Sequence, residues 1–214
     1  MIILTKKIGI SSRIVSTSNY VEERDALSHD WTIFLESLNL LPVFIPNTLT
    51  DINDFLTNFE LDGIILSGGD NIGDNLKRDN TEKNIIEFAI KNELPIFGVC
   101  RGMQVINNFF NGKILESNNF KHVDNSHTVD LSESPFSKIL PNTQINVNSF
   151  HQNLIKSETL GNNLIPFAID ASDNTIEGFF HKSLPIIGVM WHPERNPTDN
   201  SKIILQYTFN DNLF

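Results

Sequence analysis

Leu94-Pro-Ile-Phe-Gly-Val-Cys-Arg-Gly-Met-Gln-Val-Ile-Asn107 holds the only cysteine of the 214-residue chain, and it holds it between two different patterns. Leu94 to Val99 is apolar and partly β-branched, which predicts a buried strand. Beyond it, Met103, Ile106, Phe109 and Phe110 recur at the spacing of one helical face. Cys100 therefore falls on a strand-to-helix turn, flanked by Gly98 and Gly102. Such a turn is crowded, and glycines relieve the crowding; with serine at its tip the geometry is a nucleophile elbow. A helix N-terminus stabilises negative charge, and the thiolate is the reactive form of cysteine, so a thiol here can drop from about 8.5 toward roughly 3.5 to 7.5 in pKa. A lone cysteine is otherwise a small buried hydrophobe. The two glycines and the change of pattern favour the reactive thiol.

Upstream of this turn, strand and helix patterns alternate. Ile8 to Ile14 predicts a strand, with Arg13 at its end or simply on the surface. Glu22 to Leu40 carries a helical stripe through Ala26, Leu27, Trp31, Phe34, Leu35 and Leu38. Leu41 to Ile45 predicts a strand, Ile52 to Phe59 a short helix, and Leu61 to Leu66 a buried strand that empties into Ser67-Gly68-Gly69-Asp70. Asn71 to Asn80 is polar and aperiodic, the pattern of a loop over a ligand, and Thr81 to Lys91 resumes a helix. This alternation predicts an α/β fold whose parallel sheet has helices on both faces. Ligands of such sheets bind at the C-terminal ends of the strands, where Gly68-Gly69 and Cys100 both fall.

Downstream, short strand-like runs replace the alternation: Lys113 to Leu115, Ser126 to Leu131, Gln144 to Asn148, Leu164 to Asp170, Thr175 to Phe180 and Leu184 to Met190. They predict a β-rich second half of mixed pairing, closed by a helix over Asp199 to Asn212. No repeat or linker divides the chain, so residues 1–214 are expected to form one domain.

Composition narrows the partners. Sixteen phenylalanines and 40% hydrophobic residues can fill a core. A net charge of −10 without a basic stripe argues against nucleic acid. One cysteine forbids an internal disulfide and suits a reducing compartment. No apolar run approaches the roughly 20 residues that span a bilayer, and the first residues lack the order of a signal peptide, so a cytoplasmic location is expected.

The last strand-like run leads into Trp191-His192-Pro193-Glu194. Residues two apart in an extended segment project to the same side, and Pro193 stiffens the arrangement, so Glu194 can orient the His192 imidazole. An oriented histidine can take a thiol proton and return it to a leaving amine, which makes Cys100, His192 and Glu194 a candidate triad. A capped turn with a solvated glutamate accounts for His-Pro-Glu equally well when it stands alone. The intermediate of acyl transfer also needs oxyanion donors, and the backbone N–H groups of Arg101 and Gly69 are the candidates. Without Cys100, the Gly68-Gly69 pair would read as a plain tight turn.

Ser67-Gly68-Gly69, Gly98-x-Cys100-Arg101-Gly102-Met103-Gln104 and Trp191-His192-Pro193-Glu194, in this order, resemble the class I glutamine amidotransferase superfamily. Arg78-Asp79 before a helix and Val147-Asn148-Ser149-x-His151-Gln152 resemble its peptidase C26 branch, over nearly the whole chain. The resemblance implies a flavodoxin-like or Rossmann-like three-layer core with a mostly parallel sheet, Cys100 as nucleophile, His192 as base and acid, and Glu194 orienting it. It implies a γ-glutamyl amide as substrate, with Gly68, Gln104 and the segment Asn148, Ser149, Phe150 and His151 holding the glutamyl part. His151 alone would read as a structural or loop histidine; the motif raises it to a site neighbour. His127 has a weaker claim, and Asp70, Arg78 and Asp79 line the mouth or belong to a solvated loop. The segments Arg13 to Arg24 and Asp70 to Asn80 do not assign the leaving group; γ-glutamyl-CDP-amidate and γ-glutamyl-γ-aminobutyrate are the two specific expectations. A glutaminase subunit serving a separate synthetase, and a binding relative without activity, are the alternatives. No cofactor and no metal are expected, and a homodimer stays open.

Overall fold

The computed structural model describes residues 5–117, 120–134, 136, 138–140 and 142–209. In chain order its regular elements are β1 (Lys6–Ser11), β2 (Arg13–Ser16), β3 (Glu23–Ala26), α1 (His29–Ser37), β4 (Leu40–Ile45), α2 (Ile52–Phe59), β5 (Gly63–Leu66), α3 (Leu76–Lys91), β6 (Ile96–Val99) and α4 (Arg101–Phe109). There follow β7 (Leu115–Glu116), β8 (Asn125–Leu131), β9 (Gln144–Ser149), β10 (Asn153–Leu154), β11 (Leu164–Asp170), β12 (Thr175–His181), β13 (Ile186–Val189) and α5 (Asp199–Phe209).

Nine of these strands form one sheet in the order β4-β1-β5-β6-β13-β12-β11-β8-β9. The first five run parallel to their neighbours, and the last four add on as antiparallel strands. The central strands are buried on both faces, so they consist of near-continuous apolar residues rather than alternating ones. Their side chains still divide between two cores. Ile65, Phe97, Val99, Ile187 and Val189 pack toward Trp31, Phe34 and Leu35 of α1 and Ile204, Leu205 and Phe209 of α5. Ile64, Leu66, Ile96 and Ile186 pack toward α2, α3 and α4 through Leu56, Ile85, Ile86, Met103 and Ile106. The result is a helix–sheet–helix sandwich of the expected class.

On the α4 face two strand positions are glycine, and the reason is contact. A Cβ on Gly98 would lie 2.5 Å from Ile106, and one on Gly188 2.8 Å from Met103. A Cβ on Gly102, in the first turn of α4, would sit 2.0 Å from the Leu66 carbonyl oxygen at the end of β5. These absences let the helix press onto the sheet where the strands end.

Three expectations change. The strand predicted over Ile8 to Ile14 breaks at Ser12 into β1 and β2, and β2 pairs antiparallel with β3, Arg13 opposite Ala26 and Ser16 opposite Glu23. The helix predicted over Glu22 to Leu40 is confined to His29–Ser37, because Ser28 caps it through the Asp30 N–H and the preceding residues belong to that hairpin. The predicted loop Asn71 to Asn80 is shorter, because Asn75 accepts from the Lys77 and Arg78 N–H groups and starts α3 at Leu76. Helix α5 is described to Phe209; positions 210–212 of the predicted helix lie outside the described residues. No helix among the described residues is long and apolar enough to cross a membrane.

Gly102→Ala is expected to lower stability by about 1–3 kcal/mol through overpacking. A denaturant midpoint equal to that of the parent protein would show that α4 can retreat without cost.

Candidate active site

The register of three parallel strands assembles the site. Leu66 lies opposite Gly98, and Val99 opposite Val189, so β5, β6 and β13 end level with one another. Cys100 is the first residue beyond β6, His192 the third beyond β13, and Ser67-Gly68-Gly69 follows β5.

Cys100 takes φ 51° and ψ −105°, outside the regions favoured by residues with a side chain. Its N–H donates to Val189 O at 2.8 Å and its carbonyl accepts from the Gln104 N–H at 3.1 Å, so sheet and helix impose the turn from both sides. The His192 imidazole and the Arg101 backbone N–H face the thiol closely enough for both to stabilise its charged form. His192 Nδ1 lies 2.7 Å from Glu194 Oε1, and both residues are buried. That bond leaves the other ring nitrogen for the thiol.

Burial pushes the Cys100 thiol up, but the hydrogen bond and charge of His192, the charge of His151 and the Arg101 N–H outweigh it, and the thiol ends below its ordinary value. Burial also pulls His192 down, while its hydrogen bonds to Cys100 and Glu194 push it up to about 9. Both shifts favour a thiolate beside an imidazolium, each ion stabilising the other. Such a pair can attack an electrophilic carbonyl and then deliver a proton to the group that leaves.

The loop after β5 closes one side. A Cβ on Gly68 would stand 2.7 Å from His192 Cε1, so the loop touches the imidazole, and Gly69 turns the chain away at φ 125°. Arg78 holds this loop through Ser67 O at 2.9 Å and Gly68 O at 3.0 Å. Its Nε also donates to Glu82 at 3.0 Å, and Glu82 binds the Arg101 guanidinium, which reaches Asp79 as well. Arg101 thus turns its backbone N–H toward the thiol and its side chain into a buried ion cluster. Arg13 pairs with Asp70 at 2.9 Å at the rim.

The other expected residues divide. Asn148 Nδ2 donates to His192 O and Asn148 Oδ1 accepts from the His192 N–H, both at 2.8 Å, so this side chain clamps the histidine backbone. Phe150 meets the His192 ring edge-on with centroids 5.8 Å apart, and the Arg195 guanidinium lies 4.3 Å from the Phe150 ring centre. His151 is buried close enough to act electrostatically on Cys100. Ser149 turns its hydroxyl to His122 O at 2.8 Å, and Gln104 turns its amide to Met190 Sδ at 3.6 Å; both point into the protein. His127 faces Glu177, beyond the first layer around the thiol. Sequence reasoning missed Glu82 and Glu177. A signal existed for Glu177, a lone charge in the strand Thr-Ile-Glu-Gly-Phe-Phe-His of β12.

Comparison with known proteins agrees in sequence and in fold. The family model for Peptidase C26 matches residues 7–194. The γ-glutamyl-CDP-amidate hydrolase of Campylobacter jejuni is 35% identical over 208 residues, covering 94% of this chain and 96% of that protein. A glutamine-hydrolyzing GMP synthase subunit of Methanococcus aeolicus is 33% identical, covering 80% of this chain and 85% of its own. In fold, a crystal structure of a protein from Thermoplasma acidophilum superposes with a TM-score of 0.73 at 23% identity, over 96% of this chain and 93% of that one.

Alkylation of Cys100 by iodoacetamide is expected to stay fast as pH falls below about 8.5, the ordinary thiol value, and to decline only at the depressed thiol pKa. In Glu194→Gln the imidazolium loses its carboxylate, so the decline should move to higher pH. Coincident rate–pH profiles for the two proteins would refute this coupling.

Proposed function

The chain belongs to the Peptidase C26 family, and from that premise we propose that it is a cysteine-dependent hydrolase of γ-glutamyl amides. One observation carries the reading: Cys100, in a strained turn at a helix start, has its thiol drawn below its ordinary value by a neighbouring histidine that Glu194 holds at 2.7 Å. Cys100 Sγ attacks the γ-carbonyl carbon, and the oxygen takes up negative charge facing the Arg101 and Gly69 N–H groups. As the C–N bond breaks, His192 gives its proton to the departing nitrogen, leaving a γ-glutamyl thioester. His192 then takes a proton from water, which attacks the thioester carbon, and glutamate leaves as the thiolate reforms. Glu194 keeps the imidazole oriented and stabilises its charged form throughout.

Gly68, Gln104 and the Asn148 to His151 segment remain our proposed glutamyl-binding groups, Ser149 through backbone atoms because its hydroxyl is engaged within the protein, and Gln104 through an amide that would turn away from Met190 Sδ, 3.6 Å distant. The leaving group we put first is CDP-amidate, whose nitrogen is bonded to phosphorus and carries the γ-glutamyl group through the C–N bond that breaks. The 35% identity to the C. jejuni hydrolase over almost the full length of both proteins supports that choice. γ-Glutamyl-γ-aminobutyrate is the competing substrate. The likeness to the M. aeolicus GMP synthase subunit favours a second reading, a glutaminase that passes ammonia to a separate synthetase.

A panel of γ-glutamyl-CDP-amidate, γ-glutamyl-γ-aminobutyrate and glutamine, assayed for glutamate release, separates these readings. Turnover of the amidate alone is expected, with none in Cys100→Ala and a decrease of roughly 10²- to 10⁴-fold in His192→Ala, the usual worth of a positioned acid–base group. Undiminished turnover in Cys100→Ala would rule out the nucleophile, and silence across the panel would sink the hydrolase reading.

A further inference from the structure

Behind the triad lies a second group of titratable side chains, of which only His151 enters the reaction proposed above. His122, in a single turn of 3-10 helix at Phe120–His122, His151 after β9 and Glu177 on β12 converge with all three residues buried. Their facing donor atoms lie within 4.8 Å of one another. Glu177 Oε1 is 3.5 Å from His151 Nε2 and 3.9 Å from His122 Nδ1. Hydrogen bonds between such atoms run at about 2.7–3.2 Å, so these contacts are too long for that. A tetrahedral zinc ion with ligands at about 2.0–2.1 Å sets its donors about 3.3 Å apart, so the Glu177 contacts at 3.5 and 3.9 Å would close by about 0.2–0.6 Å around an ion. Among the described residues these three atoms have no hydrogen-bond partner, a costly condition for buried polar groups.

The nitrogens that face away are engaged. His122 Nε2 meets Asp173 Oδ2 at 2.9 Å, and His151 Nδ1 meets Asn153 O at 3.0 Å. Metal-bound histidines use their second nitrogen in this way, which leaves the inward one free to ligate. His127 Nε2 stands 3.6 Å from Glu177 Oε2, the carboxylate's other oxygen, and these two buried atoms likewise have no hydrogen-bond partner among the described residues. A rival grouping of His122, His127 and Asp170 is weaker, because Asp170 is held by Lys121 at 3.2 Å and by Ser172.

We propose that His122, His151 and Glu177 bind a divalent transition-metal ion, zinc above others, with solvent as the fourth ligand. Two imidazoles and one carboxylate suit zinc and other nitrogen-preferring ions rather than magnesium or calcium. The ion ties β12 to the turn at His122 and to the segment following Asn148, and so steadies the clamp on His192 without touching substrate.

The test measures metal content by mass spectrometry after chelator-stripped protein is exposed to Zn2+ or Mg2+ and desalted. About one zinc per chain and a rise in melting temperature with Zn2+ but not Mg2+ are expected. Cys100→Ala should retain the ion, while Glu177→Gln and His151→Asn should lose it. Should those variants fail to fold, Asp173→Asn keeps every ligand and should weaken binding about 10- to 100-fold. Cobalt-loaded parent protein should show tetrahedral visible bands without a thiolate charge-transfer band. Less than a tenth of an ion per chain, loss of the ion in Cys100→Ala or a thiolate band would overturn the proposal. Metal content is read without turnover, so this result and the hydrolase reading stand or fall separately.

Discussion

One buried carboxylate holds the approach to this site together. Glu82 has no solvent exposure, yet it receives the Ser11 hydroxyl at the end of β1, the Arg78 guanidinium from its own helix and the Arg101 guanidinium from the start of α4. A carboxylate taken from water to such a place is tolerable only when paired, and removing one partner of a buried pair costs about 3–5 kcal/mol. Three elements thus acquire a specific arrangement. Through Arg78 the cluster also grips the carbonyls of Ser67 and Gly68. The glycine loop beside the imidazole owes its position to ions behind it.

A second constraint comes from the far end of the sheet. Strand β9 is four places from β13 in the strand order, a separation of about 19 Å in a flat sheet with neighbours about 4.8 Å apart. Asn148 of β9 nevertheless makes two hydrogen bonds to His192, just beyond β13. The antiparallel half must therefore curl over the ends of the parallel strands. This half brings Asn148, Phe150 and His151 to a site whose triad candidates come from the parallel half and its exit loops.

The parts legible in the sequence are those whose signal is local. A continuous apolar run, a helical stripe and a glycine on each side of a cysteine announce the β6–Cys100–α4 turn, and a two-residue spacing announces His192 with Glu194. The hairpin of β2 and β3 is not legible. Glu23, Arg24 and Asp25 are exposed and give no alternation, Ala26 and Leu27 fall in phase with the helical stripe that follows, and the strand exists only because Arg13 to Ser16 pairs with it. The start of α3 escapes notice for a related reason, since its first turn holds a charged residue, Arg78, that is buried by ions rather than by apolar contact. The roles of Asn148 and Glu177 depend on how the sheet curls, which no pattern of nearest neighbours encodes.

The backbone at Cys100 has a consequence for how this chain can change. A residue with a side chain holds φ 51° and ψ −105° only while its surroundings compel it to, and here the compulsion is the bond from the Cys100 N–H to Val189 O together with the packing of a helix whose first turn tolerates no Cβ at Gly102. Reactivity and robustness are therefore drawn from the same reservoir. A substitution that loosens the β6–β13 pair, or eases α4 outward, lets the turn relax to a commoner conformation and swings the sulfur off its line to His192 while the rest of the molecule stays folded. For this protein, loss of competence should precede loss of structure along many mutational paths, and the residues that guard against it include ones that never meet a substrate.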